Sequence, residues 1–265
     1  MFSVVINYFN PTDQADLRIL TQSVVFRLIK SSVLDNQYVV VDGSGWEDCK
    51  LRDFLKDLGV EYMPASIKEN MAQSYNRGIT KTNRAYVVTM ANDIFVSSNW
   101  DLKVKNYIEE YGEALYIPLL SNSDHRPQIF DYNVFKSKAS IATGYTFNFN
   151  VLPKSAIEKI GFLDEKMSGY FNDCDYHIRA VGLGLRILMV DLGSFTHLGK
   201  CTTSVSTTTR YDADKTIFLK KYPNGYKRTL ASLSKGKLKL VILFKVRFRF
   251  CSRVMERIES ALLRV

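Results

Sequence analysis

The chain of 265 residues is long enough for one large α/β domain or two small ones, and its 46% hydrophobic and 24% charged residues exclude disorder as the main state. It contains no run of about 18 uncharged apolar residues, so we expect no membrane-spanning helix, and Met1–Phe9 lacks the basic lead and cleavage site of a signal peptide. The four cysteines are far apart and form no CxxC pair, which argues against a zinc site or a disulfide framework and fits a reducing compartment.

The positive charge of the chain is concentrated in its C-terminal part. Residues 227–265 contain 11 Lys or Arg and 2 Asp or Glu, a net charge of +9, whereas residues 1–226 contain 25 of each sign. We therefore predict a neutral domain over 1–226 and a basic amphipathic tail over 227–265. Such an asymmetry indicates that the tail meets an anionic partner.

The body alternates strand and helix patterns, which is typical of an α/β fold with a mostly parallel sheet flanked by helices. The predicted strands are Ser3–Phe9, Gln37–Val41, Val60–Met63, Ala85–Met90, Ala114–Pro118, Thr146–Leu152 and Arg186–Val190. The predicted helices are Asp13–Ile29, Asp48–Leu58, Glu69–Ile79, Asn99–Tyr111, a short one opened by Pro153, Asp173–Val181 and Asp212–Tyr222. The polar stretch Ser121–Ala142 shows neither pattern, and we expect it to loop over a site.

Polar residues follow two of the predicted strands and precede one helix. Asp42-Gly43-Ser44 and Asn92-Asp93 come directly after strands, and a third polar cluster precedes the helix at Asp173. Ligands of open α/β sheets bind at the carboxyl ends of the strands. The pattern therefore indicates a site for a phosphate-bearing or metal-bound ligand.

A series of short motifs occurs in a specific order along residues 2–205. The motifs are V-V-I-N-Y-F-N at 4–10, V-D-G-S at 41–44, N-R-G at 76–78, M-A-N-D-I at 90–94 followed by V-S-S-N-W at 96–100, G-F-L-D-E at 161–165, F-N-D-C-D at 171–175 and H-L-G at 197–199. In this order and spacing they resemble family 2 glycosyltransferases. The resemblance implies a Rossmann-like GT-A fold and inverting transfer of a sugar from a nucleotide diphosphate.

The resemblance also implies where the nucleotide-sugar donor binds, with a UDP-sugar favoured. Asp42 would accept a hydrogen bond from the nucleotide base, and Asn7, Tyr8 and Phe9 would line the same pocket. The other donor contacts that the resemblance implies are Ser44, Asn76 and Asn92. The alternative for Asp42 is a turn role, because Asp-Gly-Ser-Gly is turn chemistry in any protein.

Transfer of the sugar releases a highly anionic nucleoside diphosphate. This leaving group needs a hard divalent cation such as Mn²⁺ or Mg²⁺. Asp93 is the expected protein ligand and His197 the second one; an imidazole suits Mn²⁺ better than Mg²⁺. The chain departs from the family's Asp-x-Asp motif, since Ala91 stands where the first carboxylate would be. The alternatives are that Asn92-Asp93 is only a turn and that His197 is only a hydrogen-bonded histidine.

Asp173 is the candidate catalytic residue, because the resemblance places it where a general base takes the proton of the acceptor hydroxyl. Asn172 stands where the family often has Glu, so this pair carries one charge fewer. The residues expected on the acceptor side are Asp164, Glu165 and Asp175. The alternatives are a first-turn helix role for Asp173, an ion pair between Asp175 and Arg179, and a solvated loop at 164–165.

The tail segment Lys235–Phe250 mixes basic residues with Phe and Leu, and its apolar positions fit both a strand period and a helical stripe. We favour a helix, because Arg253–Leu263 has a clear helical pattern. A basic amphipathic helix predicts attachment to an anionic membrane surface. The alternative is packing against the body or against a homodimer partner. We expect no nucleic-acid partner, since the body is neutral and shows no nucleic-acid module.

Taken together, the sequence and the resemblance predict an inverting glycosyltransferase with a carbohydrate or lipid-linked acceptor, acting in cell-surface polysaccharide synthesis. The expected location is cytoplasmic and peripheral, on the inner face of the membrane. One alternative is a catalytically silent carbohydrate- or membrane-binding module, which Ala91 and Asn172 keep open. The other is a sugar-nucleotidyltransferase, which would need a glycine-rich basic phosphate loop that Asn7–Asp13 does not offer.

Overall fold

The computed structural model describes residues 1–119, 139–141, 147–199 and 210–233. The strands are β1 (Phe2–Tyr8), β2 (Gln37–Asp42), β3 (Glu61–Pro64), β4 (Tyr86–Ala91), β5 (Ile94–Phe95), β6 (Leu115–Pro118), β7 (Ala139–Ile141), β8 (Phe149–Pro153), β9 (Ile187–Val190) and β10 (Thr196–His197). The helices are α1 (Ala15–Lys30), α2 (Cys49–Asp57), α3 (Met71–Thr80), α4 (Trp100–Tyr111), α5 (Lys154–Ile160), α6 (Asn172–Gly182), α7 (Tyr211–Lys221) and α8 (Gly225–Leu233). Every predicted strand and helix is present, and β5, β7, β10 and α8 are additional.

Eight strands form one mixed sheet in the order β3-β2-β1-β4-β8-β6-β9-β7, and β5 pairs with β10 separately. β1 pairs in parallel with both β2 and β4, β2 with β3, and β6 with β9. β8 runs antiparallel between β4 and β6. Helices flank this sheet, so the predicted α/β class with a mostly parallel mixed sheet is confirmed.

The prediction of a loop over Ser121–Ala142 is wrong for three of its residues. Residues 139–141 form β7, which pairs antiparallel with β9 at the edge of the sheet. An open strand edge offers unpaired backbone groups to any extended segment, so pairing here does not require an apolar pattern. Residues 121–138 and 142 of this stretch lie outside the described residues.

Apolar residues on the two faces of the sheet form two separate cores. Val4 and Ile6 of β1 pack with α1 residues such as Leu28 on one face, and Val5 packs with Tyr75 of α3 on the other. Gly78 lets α3 lie close to the sheet, because a Cβ at this position would collide with methyl groups of Val5 and with Val41. The N-R-G motif thus has a packing role in this fold.

A third, smaller core joins α7 and α8 to α6. Phe218 of α7 and Leu230 of α8 pack on Ile178 of α6, and each is nearly inaccessible to solvent. The Tyr226 hydroxyl lies 2.5 Å from His177 Nδ1, and burial lowers the pKa of His177 to about 3, so this histidine is neutral.

The predicted boundary between residues 226 and 227 falls inside α8, whose Leu230 is buried on the body. Residues 227–233 are therefore part of the folded domain rather than a separate tail. Residues 234–265, which carry the helix prediction for the tail, lie outside the described residues. None of the helices in the described ranges has the length and hydropathy that crossing a bilayer requires.

Candidate active site

Parallel pairing of β1, β2 and β4 brings three polar strand ends to one edge of the sheet. Tyr8 lies opposite Asp42 in the β1–β2 register, and Asn7 lies opposite Ala91 in the β1–β4 register. The chain continues from β4 directly into Asp93. The sequence motifs predicted to hold the donor and the metal therefore share this edge.

Asp42 ends β2 and is completely buried. Its carboxylate accepts hydrogen bonds from the Ser44 backbone N–H at 2.8 Å and from the Tyr62 hydroxyl at 2.5 Å. Burial raises the pKa of Asp42, and the bonds from Ser44 and Tyr62 oppose this shift because they favour the charged form. The bond to Ser44 is an Asx turn, which was the alternative role for this residue. The carboxylate therefore holds the Ser44 turn and Tyr62 in place, and its predicted bond to a nucleotide base stays a prediction.

A hydrogen-bonded network holds the loops after β1 and β2 together. The Tyr8 hydroxyl donates to Asp48 at 2.9 Å and accepts from the Asn10 side chain at 2.8 Å. The Asn10 backbone N–H donates to Ser44 Oγ at 2.7 Å, and the Asp48 N–H donates to the Tyr62 hydroxyl at 2.9 Å. Because Ser44 and Tyr62 both donate to Asp42, these hydrogen bonds form a closed network. The side chain of Tyr8 belongs to this network, and its backbone oxygen accepts from the Gly43 N–H at 3.0 Å, so its predicted contact with a nucleotide-sugar stays a prediction.

The other two residues predicted to line this pocket are partly accessible. The ring of Phe9 lies 5.7 Å from the Lys68 ammonium. Asn7 Oδ1 is buried and has no hydrogen-bond partner among the described residues. An unpaired buried acceptor costs about 1–3 kcal/mol, so such atoms usually bind a ligand or a water. Among the residues predicted to contact the nucleotide-sugar, Asn7 thus has a side-chain oxygen available to accept a hydrogen bond from it.

Asn76 and Asn92 direct their amides to structural partners. Asn76 accepts from the Leu163 N–H at 3.0 Å and donates to Glu165 Oε1 at 2.8 Å, which ties α3 to the loop before α6. Asn92 donates to Thr21 Oγ1 of α1 at 2.9 Å. The structure therefore gives both residues a role in holding the loops around the edge of the sheet.

Arg77, to which the motifs assigned no role, also lies at this edge of the sheet. Its guanidinium donates to the backbone oxygens of Asp42 at 3.1 Å and Met63 at 3.0 Å, and pairs with Glu69 at 2.9 Å. Arg77 thus links α3 to the ends of β2 and β3. Tyr62, described above, is a second unassigned residue, and a third, Asp214, holds the loop that leads into α6.

Asp93 and His197 are brought into direct contact by the pairing of β5 with β10. His197 lies opposite Ile94, and its Nε2 is 3.2 Å from Asp93 Oδ1. The other ring nitrogen, Nδ1, lies 3.3 Å from the amide nitrogen of Asn148, a position that orients the ring. Both members of the pair are buried.

This pair can hold one divalent cation. Two ligands at right angles on an octahedral cation, each about 2.1 Å away, lie about 3.0 Å apart. The 3.2 Å separation between Asp93 and His197 is close to that value. Ala91 supplies no third protein ligand, and the described residues contain no group of three or more His, Cys, Asp or Glu suited to a metal. The remaining ligands would come from diphosphate oxygens and water.

Asp173 lies in the first turn of α6, where its half-buried carboxylate accepts from the Cys174 N–H at 2.7 Å. Burial raises the pKa of Asp173 to about 6. The preceding residue but one, Phe171, has φ 64°, a left-handed conformation that is uncommon for a bulky side chain. The carboxyl is therefore ionised at neutral pH and more basic than an ordinary aspartate, as a general base requires.

Asp175 differs from its predicted place on the acceptor side. It is completely buried, and its carboxylate contacts Arg179 at 2.8 Å, the Tyr222 hydroxyl at 2.8 Å and Lys221 at 2.5 Å. These contacts agree with the alternative of an ion pair with Arg179, four residues along the helix. Asp164 lies 3.4 Å from Lys221. Asp175 therefore joins α6 to α7 rather than facing an acceptor.

Comparison with solved structures identifies the fold. The chain has the GT-A fold of glycosyltransferases, as comparison with solved structures shows. It superposes on S. aureus TarS 1–349 in complex with UDP-GlcNAc with a TM-score of 0.63 at 11% sequence identity, covering 99% of this chain and 71% of that one. It also superposes on GalNAc-T7 with UDP, GalNAc and Mn²⁺ with a TM-score of 0.59 at 14% identity, over 74% of this chain.

These similarities are structural. The chain spans 43% of the length of the GalNAc-T7 chain and 55% of the longer S. aureus TarS chain, with which its TM-score is 0.57 at 9% identity. No protein-family model matches the sequence, and no curated protein does. The comparisons therefore define the fold, and the activity is inferred from the site.

Proposed function

We propose that the protein is an inverting glycosyltransferase that moves a sugar from a UDP-sugar to the hydroxyl of a carbohydrate or lipid-linked acceptor. The contact between Asp93 and His197 carries the proposal, because it places two metal-ligand types side by side at the strand edge where α/β sheets bind ligands. The similar structures contain UDP or UDP-GlcNAc, which supports the choice of nucleotide.

On this proposal each part of the site has a defined task. The hydrogen-bonded network around Asp42 and Tyr62 shapes the pocket for the nucleotide base. Asn7 accepts a hydrogen bond from the nucleotide-sugar through its side-chain oxygen. Asp93 and His197 would hold Mn²⁺ or Mg²⁺, which neutralises charge on the leaving diphosphate when bound.

Asp173 is the general base of the transfer. Its carboxylate takes the proton of the acceptor hydroxyl while that oxygen bonds to the anomeric carbon and the bond to the diphosphate breaks on the opposite face. Direct displacement of this kind inverts the anomeric configuration. A base with a pKa of about 6 is ionised at neutral pH and still accepts a proton more readily than an ordinary aspartate.

We further propose that the protein acts at the cytoplasmic face of a membrane in cell-surface polysaccharide synthesis. The support is the charge of the chain, since residues 227–265 carry a net charge of +9 and the remainder is neutral. Basic clusters are attracted to anionic lipid by about 1 kcal/mol per residue near the surface. A lipid-linked acceptor would be presented at the same surface.

Calorimetric titration of UDP, GDP, CDP and dTDP, each with and without Mn²⁺, tests the proposal. We expect tight binding of UDP that depends on Mn²⁺ and is lost in Asp93→Ala. Asp173→Asn should bind UDP like the wild type and turn over UDP-sugar about 100- to 10,000-fold more slowly but still measurably, because it lacks only the base. If no nucleotide binds in either condition, the transferase proposal is wrong and the silent-module alternative, which Ala91 and Asn172 favour, replaces it.

A further inference from the structure

Asp214, in the first turn of α7, is a buried carboxylate to which the proposed reaction assigns no role. It is 1% exposed and accepts hydrogen bonds from three consecutive backbone N–H groups, those of Ser168 at 2.9 Å, Gly169 at 3.1 Å and Tyr170 at 3.0 Å. The Ser168 hydroxyl adds a fourth bond at 3.0 Å. All four bonds join α7 to one short loop.

These bonds replace the solvent that the carboxylate loses on burial. No Lys or Arg of the described residues pairs with Asp214, so three backbone N–H groups and the Ser168 hydroxyl offset the cost of burying this charge. Without the carboxylate, three adjacent N–H groups would lack a partner, at about 1–3 kcal/mol each. The conformation of the loop therefore depends on Asp214.

The loop leads straight into the catalytic helix. Only Phe171 and Asn172 separate Tyr170 from Asp173, and Phe171 is held in the left-handed conformation described above. A bulky residue with positive φ is strained and persists only where its surroundings impose it.

The aromatic rings of α7 reinforce this attachment of the loop. Tyr211 contacts the rings of Tyr170, at 5.2 Å between centres, and Phe171, at 5.4 Å, and Phe218 stacks on Phe171 at 5.1 Å. Helix α7 thus holds both the backbone and the side chains of the segment that enters α6.

We propose that Asp214 is a positioning residue, which sets the place of the Asp173 carboxylate by holding the backbone of residues 168–170. That Asp173 is a base rests on the proposed function. That the position of the Asp173 carboxylate depends on Asp214 does not rest on it. A displacement of about 1 Å in a catalytic group costs on the order of 100-fold in rate. Asp214→Asn keeps the size of the side chain but presents an NH₂ group to backbone donors, so the loop must move.

The first experiment measures turnover of UDP-GlcNAc, UDP-GalNAc, UDP-glucose and UDP-galactose with water as acceptor, alongside UDP binding with Mn²⁺. We expect Asp214→Asn to lower kcat about 10- to 100-fold while the KM for the donor and the Kd for UDP change less than about 2-fold. The matched control is Asp212→Asn, which removes the same charge from an exposed position in the same helical turn and should behave like the wild type.

A double-mutant cycle separates positioning from general support of the fold. If Asp214 acts through Asp173, then Asp214→Asn has no further effect on turnover in an Asp173→Asn background. Equal losses of turnover in both backgrounds, or a parallel loss of UDP affinity, would overturn the proposal. Should Asp214→Asn not fold, Ser168→Ala decides by the same readouts, since it removes only the hydroxyl bond and should lower kcat alone.

The second experiment needs no activity. In protein with ¹³C-labelled aspartate, the carboxyl of Asp173 should titrate near pH 6 in the wild type and in Asp212→Asn, and at a different pH in Asp214→Asn. The Cys174 amide, which donates to Asp173, should exchange faster in the same variant. Unchanged titration and exchange would refute the positioning role. Absence of UDP binding by the wild type would instead refute the proposed function, and the titration would still test the inference.

Discussion

The pH dependence of turnover is the most direct test of Asp173 as the base. Burial raises the pKa of this carboxyl from an ordinary 3.8 to about 6. With that value, about 90% of the carboxyl is ionised at pH 7, about half at pH 6 and about 10% at pH 5. We therefore expect kcat/KM for the UDP-sugar, relative to its value at pH 8, to fall about twofold at pH 6 and about tenfold at pH 5.

The assay measures UDP release from pH 5 to 8 at donor concentrations well below KM, because kcat/KM reports the pKa of the free protein. UDP binding with Mn²⁺, followed calorimetrically over the same range, separates the base from the Asp93–His197 pair. A kcat/KM that stays constant down to pH 5 while UDP affinity is unchanged would refute the assignment. An ordinary aspartate is more than about 90% ionised at pH 5 and would give that flat profile.

The raised pKa of Asp173 also makes the free energy of unfolding depend on pH. The folded state keeps the proton of Asp173 up to about pH 6, whereas the unfolded state loses it near 3.8. The folded state thus binds more protons between these values, so this group lowers the free energy of unfolding as the pH rises through that window. Asp173→Asn should therefore melt at a higher temperature than the wild type at pH 7.5, and the difference should disappear below about pH 4.

Three further outcomes are expected. Asp93→Ala should weaken UDP binding in Mn²⁺ at least about 10-fold and leave binding without metal unchanged, as calorimetry would show; an equal loss in both conditions would remove Asp93 from the metal site. Tyr62→Phe deletes the hydroxyl that donates to Asp42 and should weaken UDP binding equally with and without Mn²⁺, whereas Tyr38→Phe, on the same side of the sheet but bonded to Ser32, should not. Deletion of 234–265 should abolish sedimentation with anionic vesicles but not UDP binding; retained, salt-sensitive sedimentation would contradict the role of the tail.

The fold was predictable from sequence because its signals are local. The buried runs of β1, β2 and β4 are continuous apolar segments that end in polar turns, so their limits were predicted to within one residue. The direction of β8 was not predictable, because an extended pattern over Thr146–Leu152 is the same in a parallel and in an antiparallel neighbour. The short strand β7 has no pattern of its own and exists through its pairing with β9.

For the candidate site, the sequence indicated which residues lie near the strand ends but not which contacts they make. The motifs located Asp93 and His197, and the pairing of β5 with β10 brings them together across about a hundred residues of chain. Spacing does not show which partner a side chain selects. Asn76, for example, bonds to Leu163, which is 87 residues away. Asp214 escaped assignment for the same reason, since an acidic residue in the first turn of a helix is ordinary until its partners are known.

The supports of the site divide it into two halves that respond separately to perturbation. The donor half rests on the hydrogen-bonded network through Tyr62 and on Arg77, which belong to β3 and α3. The acceptor half rests on α7 and α8, which hold α6 through Asp214 and through the contact of Tyr226 with His177. On the proposed function, substitutions that loosen α7 or α8 would therefore affect the base more than nucleotide affinity.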